Sequence, residues 1–185
     1  PGANSHIACN EAYPRLSPLP CRTFEDCFTA VEKGDAELAM IPVENTIAGR
    51  VGDIHYLLPT TSLQIVAEHY LPIRFQLMGL PGVKLDDITK ARSHIMGLGQ
   101  CRKFLKTHNI EPVTAADTAG AAREVAEGGN RAVAAIAPRL AAKVYGLDIL
   151  AEDIEDAAHN TTRFIIMSRE PSDIDAGDGP TKTAF

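Results

Sequence analysis

The sequence predicts an α/β protein made of two lobes. Between residues 88 and 150, short apolar runs alternate with helical periodicities, which implies parallel sheets covered by helices on both faces. Small polar turns such as Asp117-Thr118-Ala119 stand where a strand hands over to a helix. Two extended links, near residues 68–74 and 150–160, divide the chain. The expected division is 1–70 plus 157–170 for the first lobe and 71–156 for the second, with 171–185 as a Gly/Pro/Asp/Ser-rich linker. No internal repeat recurs at a fixed period.

In chain order, Pro1-Gly2-Ala3-Asn4-Ser5-His6 is a glycine turn entering a helix, with Ser5 as the expected N-cap. Pro14, Pro18 and Pro20 mark a loop. Thr23 opens a second helix with Asp26 in the reciprocal capping position. Phe24, Cys27, Phe28 and Val31 form its apolar face, and Gly34 ends it. Residues 38–41 make a buried strand, followed by the turn Glu44-Asn45-Thr46 and a helix showing Val51, Ile54 and Leu58 before Pro59 stops it. Residues 63–67 and 74–80 are strands, joined by an extended crossover over 68–72.

The second half starts with a strand near 88–92, then Ser93-His94 and a helix with Leu98, Cys101 and Leu105 in phase. Residues 112–116 are extended. Asp117-Thr118 cap a helix presenting Ala119, Ala122 and Ala126, which Gly128-Gly129 end. Residues 132–137 form the next strand, Pro138 takes the first position of a helix, and Gly146 closes it. Residues 147–150 are extended, and Phe164 to Met167 form a last β-branched strand.

Composition narrows the function classes. The 185 residues are 45% hydrophobic but only 5% aromatic, with no Trp, so the core is built from Ala, Val, Ile and Leu. A net charge of −6 without a basic run argues against nucleic acid and anionic membranes as partners. Cys9, Cys21, Cys27 and Cys101 show no CxxC pair and no metal-ligand spacing with His, so they read as buried free thiols in a reducing, cytoplasmic setting. No metal or cofactor motif is visible. There is no signal peptide and no run of about 18 apolar residues, and the chain opens at Pro1-Gly2 without an initiator Met.

The chemistry concentrates at His159-Asn160-Thr161-Thr162-Arg163-Phe164, where four hydrogen-bonding side chains and a cation precede a strand. Such a group of donors fits either an anion site or a solvated turn with Arg163 paired to the acidic run 152–156. Strand-to-helix turns at Gly2 to Ser5, Glu44-Asn45-Thr46, Ser93 to Gly99 and Asp117-Thr118-Ala119 add helix N-termini, which suit a carboxylate ligand or serve as ordinary caps.

Taken in order, Gly2…Ser5, Glu44-Asn45-Thr46…Gly49…Val51, Ser93-His94…Leu98…Gln100-Cys101, Asp117-Thr118-Ala119…Ala122 and Asn160…Thr162-Arg163-Phe164 resemble the motifs of prephenate dehydratase. The resemblance runs to about residue 168. Ala3, Thr46 and Ile95 stand where the family often has Thr, Ser and Pro, and Thr46 keeps the hydroxyl.

The resemblance implies two lobes like type II periplasmic binding proteins, with the ligand in the cleft between them. It implies prephenate as the small-molecule substrate and loss of CO2 and water to give phenylpyruvate, in phenylalanine biosynthesis, with no cofactor. Thr162 is then the expected proton donor to the departing hydroxyl, with a buried Glu44 as the alternative acid. Ser5, Asn45, Thr46, Ser93, His94, Gln100, Asp117, Thr118, Ala119, Asn160, Arg163 and Phe164 are the expected substrate-binding positions, Arg163 partly a brace and Phe164 partly core. The family suggests a homodimer and a C-terminal ACT domain that senses phenylalanine. Residues 181–185 resemble the opening strand of such a domain, cut short, so phenylalanine inhibition is expected only where that domain is intact. Two rival readings are an arogenate dehydratase, acting on the amino analogue, and a non-catalytic carboxylate-binding sensor module.

Overall fold

The computed structural model describes residues 1–171 and shows a mixed α/β protein with two sheets. The linker and ACT-like readings over 172–185 lie outside the described residues. The chain opens with α1 (Asn4–Ala12) and α2 (Phe24–Lys33), then β1 (Ala39–Asn45), β2 (Gly49–Arg50), the one-turn α3 (Ile54–Leu57) and β3 (Gln64–Pro72). There follow β4 (Gln76–Gly79), β5 (Lys90–Ser93), α4 (Ile95–Gln100), α5 (Arg102–Thr107) and β6 (Glu111–Thr114). The last elements are α6 (Thr118–Gly128), β7 (Val133–Ala137), α7 (Arg139–Tyr145), β8 (Asp148–Ala151) and β9 (Thr161–Ser168).

The first sheet has the order β2-β1-β9-β3, and every pairing in it is antiparallel. The expectation of parallel sheets fails here for a topological reason. Strands β1 and β3 do run the same way, but β9 returns late in the chain and inserts between them in the opposite sense. The second sheet, β6-β5-β7-β4-β8, is parallel only among β5, β6 and β7; β4 runs antiparallel to β7 and β8.

Strand β9 is central and covered on both faces, which explains its unbroken run Phe164-Ile165-Ile166-Met167. Ile165 and Met167 join Phe28, Val31, Ile41 and Ile54 beneath α2 and α3. Phe164, on the other face, joins Ala8 of α1, Leu71, Phe75, Leu77, Ile136, Leu98 and Leu105 in a cluster that spans both sheets. The far face of the second sheet carries Ala121, Ala122 and Val125 of α6 with Ala141 and Ala142 of α7. These small side chains let helices approach the sheet closely.

Local signals hold where they depend on neighbours alone. Thr23 and Asp26 form a reciprocal capping box, and Gly34, Gly129 and Gly146 end their helices in the left-handed region. Other expectations shift. The N-cap of α1 is Ala3, and Ser5 lies inside the helix. Pro138 is the N-cap of α7, one residue before the expected place. Helix α3 covers only four residues. The helix through Leu98 and Leu105 breaks at Cys101, whose φ of −121° is not helical.

The segment 68–72 belongs to strand β3, so the first crossover narrows to Ile73-Arg74-Phe75. It is tied to the second, which runs from Glu152 to Asn160. The Ile73 amide donates to the Asn160 carbonyl at 2.8 Å, and the Ile154 amide donates to the Phe75 carbonyl at 2.9 Å. Glu155 accepts from the Arg74 guanidinium at 2.6 Å and from the Phe75 amide at 2.9 Å.

Phe164 is 1% exposed and sits where the two sheets share one core. Phe164→Ala is expected to lower unfolding stability by about 3–5 kcal/mol in urea titrations, as a large buried cavity does.

Candidate functional site

At the end of the β1–β9 ladder, Asn45 is paired with Thr162. The pairing depends on a bulge. The register shifts between Pro42 and Glu44, so Val43 is an extra residue, and Glu44 pairs with Arg163. Without that insertion, plain alternation would set Asn45 on the α2 face with Ile41. The bulge instead brings Asn45 to the face of Thr162 and Phe164 and leaves Glu44 on the other.

The Asn45 side chain is fixed at both ends. Its Oδ1 accepts the Ile47 and Ala48 amides at 3.0 and 2.8 Å, which assigns the amide orientation. Its Nδ2 donates to Asn160 Oδ1 at 2.7 Å and to Thr162 Oγ1 at 3.0 Å, with Thr161 O further off at 3.3 Å. Asn160, 1% exposed, then donates from Nδ2 to Gln100 Oε1 at 2.7 Å. A directional chain of amides therefore runs from the first sheet to α4 of the second. Two donors at its ends, the Thr162 hydroxyl proton and Gln100 Nε2, have no acceptor among the described residues.

Other expected positions have work of their own. The Thr46 hydroxyl donates to His159 O at 2.7 Å and accepts the Thr161 amide at 3.0 Å, pinning the entrance to β9. Ser93 is fully buried and donates to Ile136 O at 2.7 Å, which spends its hydroxyl inside the second sheet. His94 Nδ1 accepts the Met96 amide at the start of α4, and Asp117 Oδ1 accepts the Gly120 amide at the start of α6. Thr118 is the first residue of α6, and Ala119 is buried beneath it. Because β6, β5 and β7 are adjacent and parallel, α4, α6 and α7 begin side by side at one edge of their sheet.

Arg163 points to the opposite face from Thr162. Its Nε donates to Glu68 Oε2 at 2.9 Å, and that hydrogen bond holds its proton more firmly than usual. The brace therefore goes to Glu68; the acidic run 152–156 is served by Arg74 and Arg139 instead. Glu44 is exposed and lies on the Arg163 face. The burial needed for its role as alternative acid is absent. Phe164 is core.

A hollow of about 730 Å³ lies elsewhere, between α1, the 13–23 loop and the start of α2. Of the expected site residues only Ser5 lines it. In the amide chain Asn160 and Thr162 are buried, and Asn45 and Gln100 half-buried. Cys9, Cys21 and Cys27 share that hollow. Burial first, then Cys21, pushes the Cys27 thiol up to about 12, which keeps it protonated.

Sequence reading missed the bulge at Val43, the Glu155 ties and Asp156. Asp156 docks on the α4–α5 break through its amide to Gln100 O at 2.6 Å and its carboxylate to the Lys103 amide at 3.1 Å.

The family model described as prephenate dehydratase matches residues 1–172. A Komagataeibacter europaeus protein named bifunctional N-acyl-homoserine lactone acylase/prephenate dehydratase is 46% identical over 172 residues, covering 93% of this chain and 61% of its own. Arogenate dehydratase/prephenate dehydratase 1, chloroplastic, of Arabidopsis thaliana is 44% identical over 185 residues, covering 100% of this chain and 47% of its own. The crystal structure of a prephenate dehydratase from Arthrobacter aurescens in complex with L-Phe has a TM-score of 0.84 at 33% identity, covering 92% of this chain and 58% of that one. The chain spans about half to three fifths of the length of these relatives.

Thr46→Val, which removes both hydroxyl contacts at the β9 entrance, is expected to cost about 1 kcal/mol of stability, read from the urea midpoint at constant slope.

Proposed function

The chain belongs to the prephenate dehydratase family, and from that premise we propose that it is a carbon–oxygen lyase that eliminates water and CO2 from prephenate to give phenylpyruvate. The observation that carries the reading is the Thr162 hydroxyl, held by Asn45 at 3.0 Å with its own proton unengaged among the described residues.

Asn45 occupies one lone pair of Oγ1 and leaves the O–H bond available to donate. Hydroxide leaves poorly, so a donor to the departing oxygen contributes typically ~10²- to 10⁴-fold. A threonine hydroxyl is a very weak acid. Its role is therefore a strong hydrogen bond to the leaving oxygen, or relay of a proton to it. Gln100 Nε2 supplies a further donor for a carboxylate or the keto group. Aromatisation of the ring drives the loss of CO2, and a drier site favours the change from a charged carboxylate to a neutral product.

The reading includes the two-lobe division, 1–70 with 157–170 and 71–156, whose crossovers are the tied segments 73–75 and 152–160. The arogenate alternative calls for a carboxylate to receive the substrate amine, and paired assays with both compounds decide between the two substrates. Turnover itself separates an enzyme from a binding module. Cytoplasmic location is supported by four free cysteines. No helix among the described residues is long and apolar enough to cross a membrane. A homodimer is supported by half-exposed Ile65 and Tyr70 on edge strand β3. Phenylalanine inhibition belongs to a protein that carries an intact ACT domain.

Thr162→Ala is expected to lower kcat at least ~10²-fold in a phenylpyruvate absorbance assay with KM near wild type, whereas Glu44→Gln on the opposite face leaves kcat unchanged. An unchanged kcat in the Thr162 variant would remove that hydroxyl from the reaction.

A further inference from the structure

Asp156 touches neither Thr162 nor Asn45, yet it grips the residue that ends their chain of amides. The helix that carries Gln100 stops there, because Cys101 leaves helical geometry and α5 begins afresh at Arg102. That break leaves peptide groups without helical partners. Asp156 fills two of them, one on each side of the break. Its amide donates to the Gln100 carbonyl at 2.6 Å, and its carboxylate accepts the Lys103 amide at 3.1 Å through Oδ1 and 3.4 Å through Oδ2.

Four residues later the same segment presents Asn160, whose side chain reaches back to Gln100 Oε1 at 2.7 Å. The stretch from Asp156 to Asn160 is thus a closed loop fastened at both ends to Gln100. One end is held by Gln100's backbone, the other by its side chain. The Asn160 carbonyl is separately fixed by the Ile73 amide. Without the carboxylate the Lys103 amide loses its acceptor, and the Asp156 amide alone fastens that end of the loop to the break.

We propose that Asp156 is a positioning residue for the proposed elimination: its carboxylate locks the α4–α5 break against the second crossover, so that Gln100, Asn160 and Asn45 stay in line and aim the Thr162 hydroxyl. The inference rests on the dehydratase reading for its kinetic consequence, while its structural content stands apart from turnover. Asp156→Asn keeps one oxygen acceptor for the Lys103 amide; Asp156→Ala keeps none.

The test combines kinetics on prephenate with amide hydrogen exchange over residues 157–162, for wild type, Asp156→Asn, Asp156→Ala, Gln100→Ala and the double variant Gln100→Ala/Asp156→Ala. Asp156→Ala is expected to lower kcat about 10-fold with KM close to wild type, since small misplacement of a reacting group is costly. Asp156→Asn recovers most of that loss. In the double variant the losses do not multiply, because both changes break one line of contacts. Exchange over 157–162 speeds up in Asp156→Ala and not in Asp156→Asn. Wild-type kcat in Asp156→Ala, or losses that multiply, overturns the proposal. If the wild-type chain makes no phenylpyruvate, the dehydratase reading fails, and the exchange rates alone decide the structural claim: unchanged rates in Asp156→Ala overturn it.

Discussion

The arrangement depends on one side-chain amide. Asn45 ends a strand, and its carboxamide is held by two peptide N–H groups of the following turn while it donates to two side chains of another segment. A half-buried amide is stable in one orientation only when both ends are satisfied, because an unpaired polar group costs more than a hydrogen bond returns. Here the satisfaction comes from two places at once, the turn at 47–48 and the β9 entrance at 160–162. The bulge is indispensable, since it decides which face of the sheet receives Asn45. It also separates charge from site, because Glu44, Arg163, Tyr70 and Glu68 share the other face.

That separation gives the motif Thr162-Arg163-Phe164 a physical meaning. Alternation along β9 sends the first and third residues to the face shared with α1 and the second sheet, and the middle one to the opposite face. The three neighbours therefore do three different things. Thr162 presents a hydroxyl, Arg163 ties β9 to β3 through Glu68, and Phe164 fills the core common to both sheets. None of the three replaces another, although they are adjacent in sequence.

What could be read from the sequence divides along the range of the interactions. Thr23 with Asp26, Asp117, Gly34, Gly129 and Gly146 act on peptide groups within four residues, and each does what its position predicts. Asn160, Thr162 and Gln100 were legible as chemistry, because polar side chains at a strand entrance and helix end call for partners. Their partners were not. The parallel expectation holds among β5, β6 and β7 but fails in the first sheet, because β9 inserts between β1 and β3 through pairings about 90 to 130 residues apart, invisible to local alternation. Ser93 is the converse case. A hydroxyl at the carboxyl end of a parallel strand reads as a ligand group, but the Ile136 carbonyl on the next strand accepts it.

Every link of the amide chain is made between protein groups. Gln100, Asn160, Asn45 and Thr162 already hold one another, and each link has a fixed donor and acceptor. A site arranged in this way spends its ordering cost during folding, so charge that develops later meets dipoles that need not turn. The two donors left over, one hydroxyl and one amide, fit a substrate rich in oxygen and negative charge better than they fit a cation. Such a site also gains little from a strong acid. If the oriented hydroxyl stabilises the leaving oxygen only as it takes on charge, its contribution appears in kcat and not in ground-state binding. On the proposed reading the weakness of threonine as an acid is then no objection, because the hydrogen-bond geometry set by Asn45 would do what acidity does elsewhere.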